Sequence, residues 1–225
     1  MAIACFKDLC IDASDAEAMG AFWARVLQQT WEPDDGRISG ATDRHTVWIR
    51  TVPEAKAAKH RVHLDIYARD LSGLEAIGAT VLRREGDART WTVMSDPEGG
   101  EFCAFLREEL PAERLHGLVV DCVDPFALAD WWSEIFGATL VHDPRGFATL
   151  LDVGGMPILT MDFLPVPEPK TVKNRIHWDV LVDDLAALVS AGATILRPAD
   201  DEIRWTVLAD PEGNEFCAFL EPGEH

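Results

Sequence analysis

The chain has 225 residues, enough for one large domain or two of about 110, either able to bury a core. At 48% hydrophobic and 26% charged it has a globular composition, and no run approaches the ~20 apolar residues of a membrane span. A net charge of −19 repels phosphate backbones and anionic lipid, which argues against nucleic acid and membrane as partners.

In chain order, a short apolar strand is predicted at Asp8–Ile11. Asp15 then caps a helix with Trp23, Val26 and Leu27 on one side. A strand is predicted around Thr46–Thr51. RVHLDIYARD, Arg61 to Asp70, alternates as a strand and ends on a second capping aspartate. Gly78 stops the next helix, and three strands follow, the last being EFCAFL at Glu101–Leu106.

The series then repeats. Leu118–Asp121 is the strand, Asp124 the cap, and Trp132, Ile135 and Phe136 the helix face; short strands lie between Ala148 and Met161. RIHWDVLVDD runs from Arg175 to Asp184, Gly192 stops a helix, and EFCAFL recurs at Glu215–Leu220. Residues 52–106 align without a gap on 166–220, with 30 of 55 positions identical, which makes this a tandem duplication. The domains are predicted at 1–108 and 116–225, with the charged, Pro-containing segment 109–115 as linker. Five extra residues fall between Gly137 and Pro165 of the second copy.

DPEGGEFCAFL and DPEGNEFCAFL, at Asp96 and Asp210, predict a tight turn joining two strands. Pro97 and Pro211 fix φ; Gly99 and Gly213 supply freedom where the chain reverses. Gly100 and Asn214 are the two residue types that tolerate positive φ.

Five cysteines (Cys5, Cys10, Cys103, Cys122, Cys217) form no C-x-x-C pair, and MAIACFKDLCID has no basic stretch leading into an apolar core. Reduced thiols and a cytoplasmic location are expected.

HLDIYARDLSGLEAIGAT and HWDVLVDDLAALVSAGAT, with WTVMSDPEGGEFCAF and WTVLADPEGNEFCAF, resemble the vicinal oxygen chelate superfamily. It contains glyoxalase I, extradiol dioxygenases and bleomycin-resistance proteins; the chain looks most like its glyoxalase-like domains. The resemblance implies an α+β fold: two tandem glyoxalase-like domains, each of paired β-α-β-β-β modules whose sheet curls around a cavity with helices outside. It also implies, for members that use a metal, one ligand on each module's first strand and one near its last.

Alternation puts Arg61, His63, Asp65 and Tyr67 on one side of their strand, and Arg175, His177, Asp179 and Leu181 on one side of theirs. The opposite face is apolar and must pack on a helix. By the resemblance, the Arg-His-Asp face lines the cavity. His63 and His177, each seven residues before a capping Asp, match a ligand position, and neutral imidazole suits Fe²⁺, Mn²⁺, Zn²⁺ or Ni²⁺.

The rest of the implied set is incomplete. Where relatives carry Glu, seven residues after the turn Asp, stand Cys103 and Cys217; Glu101 and Glu215 are displaced by roughly 7 Å along the strand. The first-strand position falls on Lys7 or Asp8 in one copy and His116 or Gly117 in the other. The last, near Arg50 or Met161, offers no ligand. No cofactor is therefore expected, a divalent metal being the alternative, and His63 and His177 are expected to act as hydrogen-bonding groups. Cys103 and Cys217 read as small buried residues, or as thiolates if Arg61 or His63 supplies a cation. Trp48, Trp91 and Trp205 are candidate stacking surfaces for an aromatic or conjugated ligand.

Three functions follow from these features. The first is a protein of the glyoxalase/bleomycin-resistance type that holds a small, aromatic or conjugated organic molecule in the cavity without metal. The second is a metal-dependent lyase, isomerase or dioxygenase, and the third a non-catalytic assembly domain. The expected partner is a small molecule, and a homodimer is a candidate assembly.

Overall fold

The computed structural model of the chain describes residues 2–86 and 90–221. Four β-α-β-β-β modules follow one another, as expected. The first holds β1 (Ala4–Ala13), α1 (Ala16–Leu27), β2 (Thr30–Glu32), β3 (Arg37–Ser39) and β4 (Val47–Thr51). The second holds β5 (Val62–Ala68), α2 (Leu71–Glu75), β6 (Thr80–Arg83), β7 (Thr92–Ser95) and β8 (Glu101–Leu106). In the third are β9 (Leu115–Cys122), α3 (Pro125–Phe136), β10 (Thr139–Asp143), β11 (Phe147–Leu151) and β12 (Thr160–Pro165). The fourth has β13 (Ile176–Val182), α4 (Leu185–Ser190), β14 (Thr194–Arg197), β15 (Thr206–Ala209) and β16 (Glu215–Leu220). Among the described residues no helix is long and apolar enough to cross a membrane.

All four predicted aspartates cap their helices. Asp15 accepts from the Ala18 amide at 3.0 Å, Asp70 from Gly73 at 2.8 Å, Asp124 from Ala127 at 3.1 Å and Asp184 from Ala186 at 2.8 Å. Each bond satisfies one of the amides that a helix start leaves without an intrahelical partner.

The α+β architecture is the expected one, but the modules pair differently from the expectation that each repeat curls its own sheet. The first sheet has the order β14-β15-β16-β13-β1-β4-β3-β2, and the second β10-β11-β12-β9-β5-β8-β7-β6. β1 of one repeat thus runs antiparallel to β13 of the other, and β5 to β9. Each sheet takes one module from each repeat. The reason lies in the long helices. Trp23 of α1 packs edge-on against Phe102 of β8 at 5.3 Å, and Trp132 of α3 against Phe216 of β16 at 5.0 Å and Trp178 of β13 at 5.0 Å. The two modules of one repeat therefore meet back to back, through a helix between the sheets. Trp23, Trp132 and Trp178 are all buried there, so the strand edges left over pair across repeats.

The repeated D-P-E-G turn holds this arrangement. Asp96 Oδ1 accepts from the amides of Glu98 (2.9 Å) and Gly100 (2.7 Å); Asp210 Oδ1 does the same for Glu212 (3.0 Å) and Asn214 (2.9 Å). Gly99 and Gly213 take φ of 82° and 83°, as the turn requires. Glu98 reaches the amides of Ser14 and Asp15 at 3.0 and 2.7 Å, at the start of α1. Glu212 reaches those of Val123 and Asp124, both at 2.7 Å, at the start of α3. The turn joins two strands and clamps the helix of the neighbouring module.

Gly100 and Asn214, although of types that tolerate positive φ, do not adopt it. Asn214 uses its side chain instead, donating to Asp210 at 2.9 Å and accepting from Asn174 at 3.0 Å. In the first repeat the position equivalent to Asn174 is His60, whose ring occupies that space. A Cβ on Gly100 would lie 2.5 Å from His60 Cε1 and 2.5 Å from Asp96 Oδ2. Gly100→Asn alone is expected to cost about 1–2 kcal/mol by overpacking. Combining it with His60→Asn, which copies the second repeat, should restore the wild-type urea midpoint.

Candidate functional site

β1 and β13 meet antiparallel with Asp8 opposite Asp179 and Cys10 opposite His177. The pairing skips Lys7, so a bulge lets both Lys7 and Asp8 serve the concave face. In the second sheet the corresponding bulge falls at His116, with Gly117 opposite Asp65 and Val119 opposite His63. This fixes the first-strand register: Asp8 and Gly117 correspond to His177 and His63, each seven residues before a capping aspartate. The parallel neighbours set Trp48 beside Cys10 and Asp162 beside Val119, corresponding to Cys217 and Cys103. Leu164, beside Asp121, is the true counterpart of Arg50, which lies beside Asp12. Met161 sits beside Leu118 and is buried in the core, which corrects its pairing with Arg50.

The first sheet encloses a cavity of about 550 Å³. Its walls are aromatic: Trp48 on β4, and Trp205 stacked on Phe219 at 5.4 Å from the opposite module. The Trp48 indole donates to Asp8 Oδ2 at 3.1 Å, which locks its plane. Cys10, His177, Asp179 and Cys217 form the polar floor. The Cys10 thiol lies 3.7 Å from Asp179 Oδ2, and His177 Nδ1 is buried without a hydrogen-bond partner.

Burial decides the protonation of this floor. It lowers His177 to about 4, so the imidazole is neutral at pH 7. It raises Asp179 to about 7, and raises the Cys10 and Cys217 thiols, with Asp179 adding to both effects. At pH 7 the floor thus holds a neutral imidazole, protonated thiols and a carboxyl close to its midpoint, and the thiolate expectation for Cys217 fails because burial and the neighbouring Asp179 hold its proton.

The second sheet is built otherwise. His116 stacks on Tyr67 at 4.2 Å and meets Phe105 edge-on at 4.7 Å, while Phe105 stacks on Trp91 at 5.6 Å. These rings lie where Lys7 and the aromatic wall stand in the first sheet. Asp162, in place of Trp48, accepts from the hydroxyls of Thr149 and Thr160 at 2.5 and 2.7 Å. Burial, then Asp162, raises Asp65 to about 8; burial lowers His63 to about 4 and raises Cys103.

Of the residues expected to line a site, Trp48, His177, Asp179, Trp205 and Cys217 come together in the first sheet. His63, Asp65 and Cys103 gather in the second, and Trp91 stacks nearby. Arg61 and Arg175 do not join either group. Arg175 donates to Glu98 (2.6 Å) and to the carbonyls of Asp12 (3.1 Å) and Glu54 (2.5 Å), and Arg61 to those of Asp121 (3.2 Å) and Glu168 (2.6 Å). Both precede the strand proper, where alternation no longer dictates direction. They tie one repeat to the other, as do the ion pairs Lys173–Asp12 and Lys59–Asp121. Glu101 and Glu215 likewise hold the connecting segments, through Lys56 at 3.0 Å and Lys170 at 2.7 Å. The sequence reading missed Cys10, Arg50 and Phe219. Counting back five residues from each capping aspartate, which pairs Cys10 with Asp179, would have found the first.

At the four corresponding positions the first sheet has Asp8, Trp48, His177 and Cys217, and the second Gly117, Asp162, His63 and Cys103. Asp8 is already bound by Lys7 and Trp48, and Asp162 by two threonines. What remains is one imidazole and one protonated thiol per sheet, which does not fit the ligand set of the metal-using relatives. Nearby donors, Cys10–His177–Asp179 and His63–Asp65–Cys103, each lie within 4.8 Å of one another. Their thiols would have to lose tightly held protons to bind a cation.

The model of the glyoxalase-like domain matches residues 8–105 and again 117–219. The chain belongs to the glyoxalase-like domain family. Among solved structures it is similar to glyoxalase I from Zea mays, with 14% identity and a TM-score of 0.69, over 96% of this chain and 92% of that one. A Bacillus subtilis protein described as a candidate dioxygenase gives 14% identity and a TM-score of 0.65 over 99% and 86%. The cppA protein from Streptococcus pneumoniae gives 11% and 0.50 over 95% and 96%. At these identities the likeness is one of fold alone. No curated protein sequence matches the chain. This glyoxalase-like pair places different side chains at the bottom of each sheet.

Proposed function

We propose that the chain binds a small organic molecule with an aromatic or conjugated ring system, without metal, in the cavity of the first sheet. The observation that carries this reading is a space of about 550 Å³ walled by Trp48 from one module and the stacked Trp205–Phe219 from the other, over a buried polar floor. A mostly apolar hollow with a few convergent polar groups is the usual form of a small-molecule site. The second sheet, with His116 packed between Tyr67 and Phe105, supports one ligand per chain rather than two.

Titration with 2-naphthamide should quench Trp fluorescence to saturation. Trp205→Ala should weaken binding about tenfold, the equivalent of ~1.4 kcal/mol of lost stacking. Trp91→Ala should leave the affinity unchanged, and so should EDTA. A metal-dependent lyase, isomerase or dioxygenase is the competing reading, favoured by the donor trio Cys10–His177–Asp179. Near-stoichiometric metal by elemental analysis, lost in His177→Ala, would establish it instead.

A further inference from the structure

We infer that the ligand of the first sheet's cavity is an aromatic anion, an arene carrying a carboxylate or a similarly planar acidic group, and that Arg50 recognises its charge. The inference rests on the aromatic-ligand reading and adds the chemical class.

It starts from the charges around the cavity. Lys7 pairs with Asp8, Lys173 with Asp12, Arg197 with Asp200 and Glu202, and Glu215 with Lys170. Among the described residues Arg50 alone of the lining cations has no carboxylate within salt-bridge distance. In a chain with 39 Asp and Glu against 20 Lys and Arg, an unmatched guanidinium at a cavity is an exception that local structure must explain.

That structure is the Trp48 ring. The Arg50 guanidinium lies 4.4 Å over it, and Asp8 fixes the indole in turn. Stacking engages the flat face of a guanidinium and leaves its edge of N–H donors unspent, the edge that receives a carboxylate with two parallel hydrogen bonds. Because the side chain is already held, little rotamer entropy is lost when an anion arrives. An arene between Trp48 and Trp205–Phe219 would bring its acidic group to this edge. Its far side would meet the His177 ring, which lines the cavity floor.

The second sheet serves as an internal comparison. Leu164 replaces Arg50 and Asp162 replaces Trp48, so an anion there would meet a carboxyl and no guanidinium. The same frame thus has the acid-reading pair in one sheet only.

The test compares 2-naphthoate with 2-naphthamide, which share a ring system and differ in charge, by equilibrium dialysis and Trp quenching. The wild-type chain should bind one 2-naphthoate, about tenfold or more tightly than the amide. Arg50→Gln should erase that preference and leave amide binding within twofold; Arg50→Lys should keep part of it. Raising salt should weaken naphthoate alone. Equal affinity for the two probes, unchanged in Arg50→Gln, would overturn the inference while leaving the aromatic cavity standing. Two naphthoates per chain, or loss of its binding in His116→Ala, would overturn the assignment to the first sheet. Failure of both probes to bind would overturn the aromatic-ligand reading and the inference with it.

Discussion

Glu98→Ala should destabilise the chain by about 3–5 kcal/mol, and Glu212→Ala by only about 1–2 kcal/mol. The two glutamates occupy the same place in the repeated turn, and each caps a helix start with both carboxylate oxygens. Glu98 alone has a second task. It neutralises Arg175 at 2.6 Å, and the two side chains are only 18% and 12% exposed. Removing Glu98 therefore strands a largely buried guanidinium as well as two amides, whereas removing Glu212 strands amides only. Arg61, the counterpart of Arg175, bonds to backbone carbonyls, which Glu212→Ala leaves in place. Urea unfolding of the two variants measures the difference. Equal losses would mean that the Arg175 pair contributes nothing.

The double variant Asp65→Asn, Asp179→Asn should be more stable than the wild type at pH 9, by several kcal/mol or about 10 °C in Tm, and indistinguishable from it below pH 4. Burial raises these carboxyls from the ordinary 3.8 to about 8 and about 7. Between those limits the folded chain holds protons that the unfolded chain has released, so stability falls as pH rises. Asparagine keeps the shape of the protonated acid and cannot ionise. The buried imidazoles act in the opposite sense. His63 and His177 are lowered from 6.5 to about 4, so their contribution is lost as pH falls through that range. Scanning calorimetry across pH would show the variant's advantage opening as pH rises from about 4 and reaching its full size above about 8. An advantage of equal size at pH 4 and pH 9 would rule out ionisation as its source.

The modules and their caps were legible because their causes are local: an aspartate before an apolar run, and a glycine where φ must be positive. Strand alternation likewise put His177 and Asp179 on one side of their strand, and the family resemblance made that side the concave one. What could not be read was which module would pair with which. That outcome depends on Trp23 and Trp132 filling the space between the sheets, a contact between residues up to 84 positions apart. The misjudged direction of Arg61 and Arg175 has the same origin, since their partners belong to the other repeat. Arg50 was overlooked as a ligand group for a different reason. It was weighed only as a metal donor, which a guanidinium cannot be.

The crossed pairing of modules has a consequence for how the two halves can specialise. Two separate copies of one repeat, associating through the same strand edges, would enclose two hollows related by symmetry, and every substitution would appear in both. Joined in one chain, the copies escape that constraint. One hollow can trade its arginine for leucine and fill itself with a histidine, while the other stays open. The covalent link thus lets a twofold scaffold own an asymmetric interior, with one side free to answer for folding and the other for chemistry.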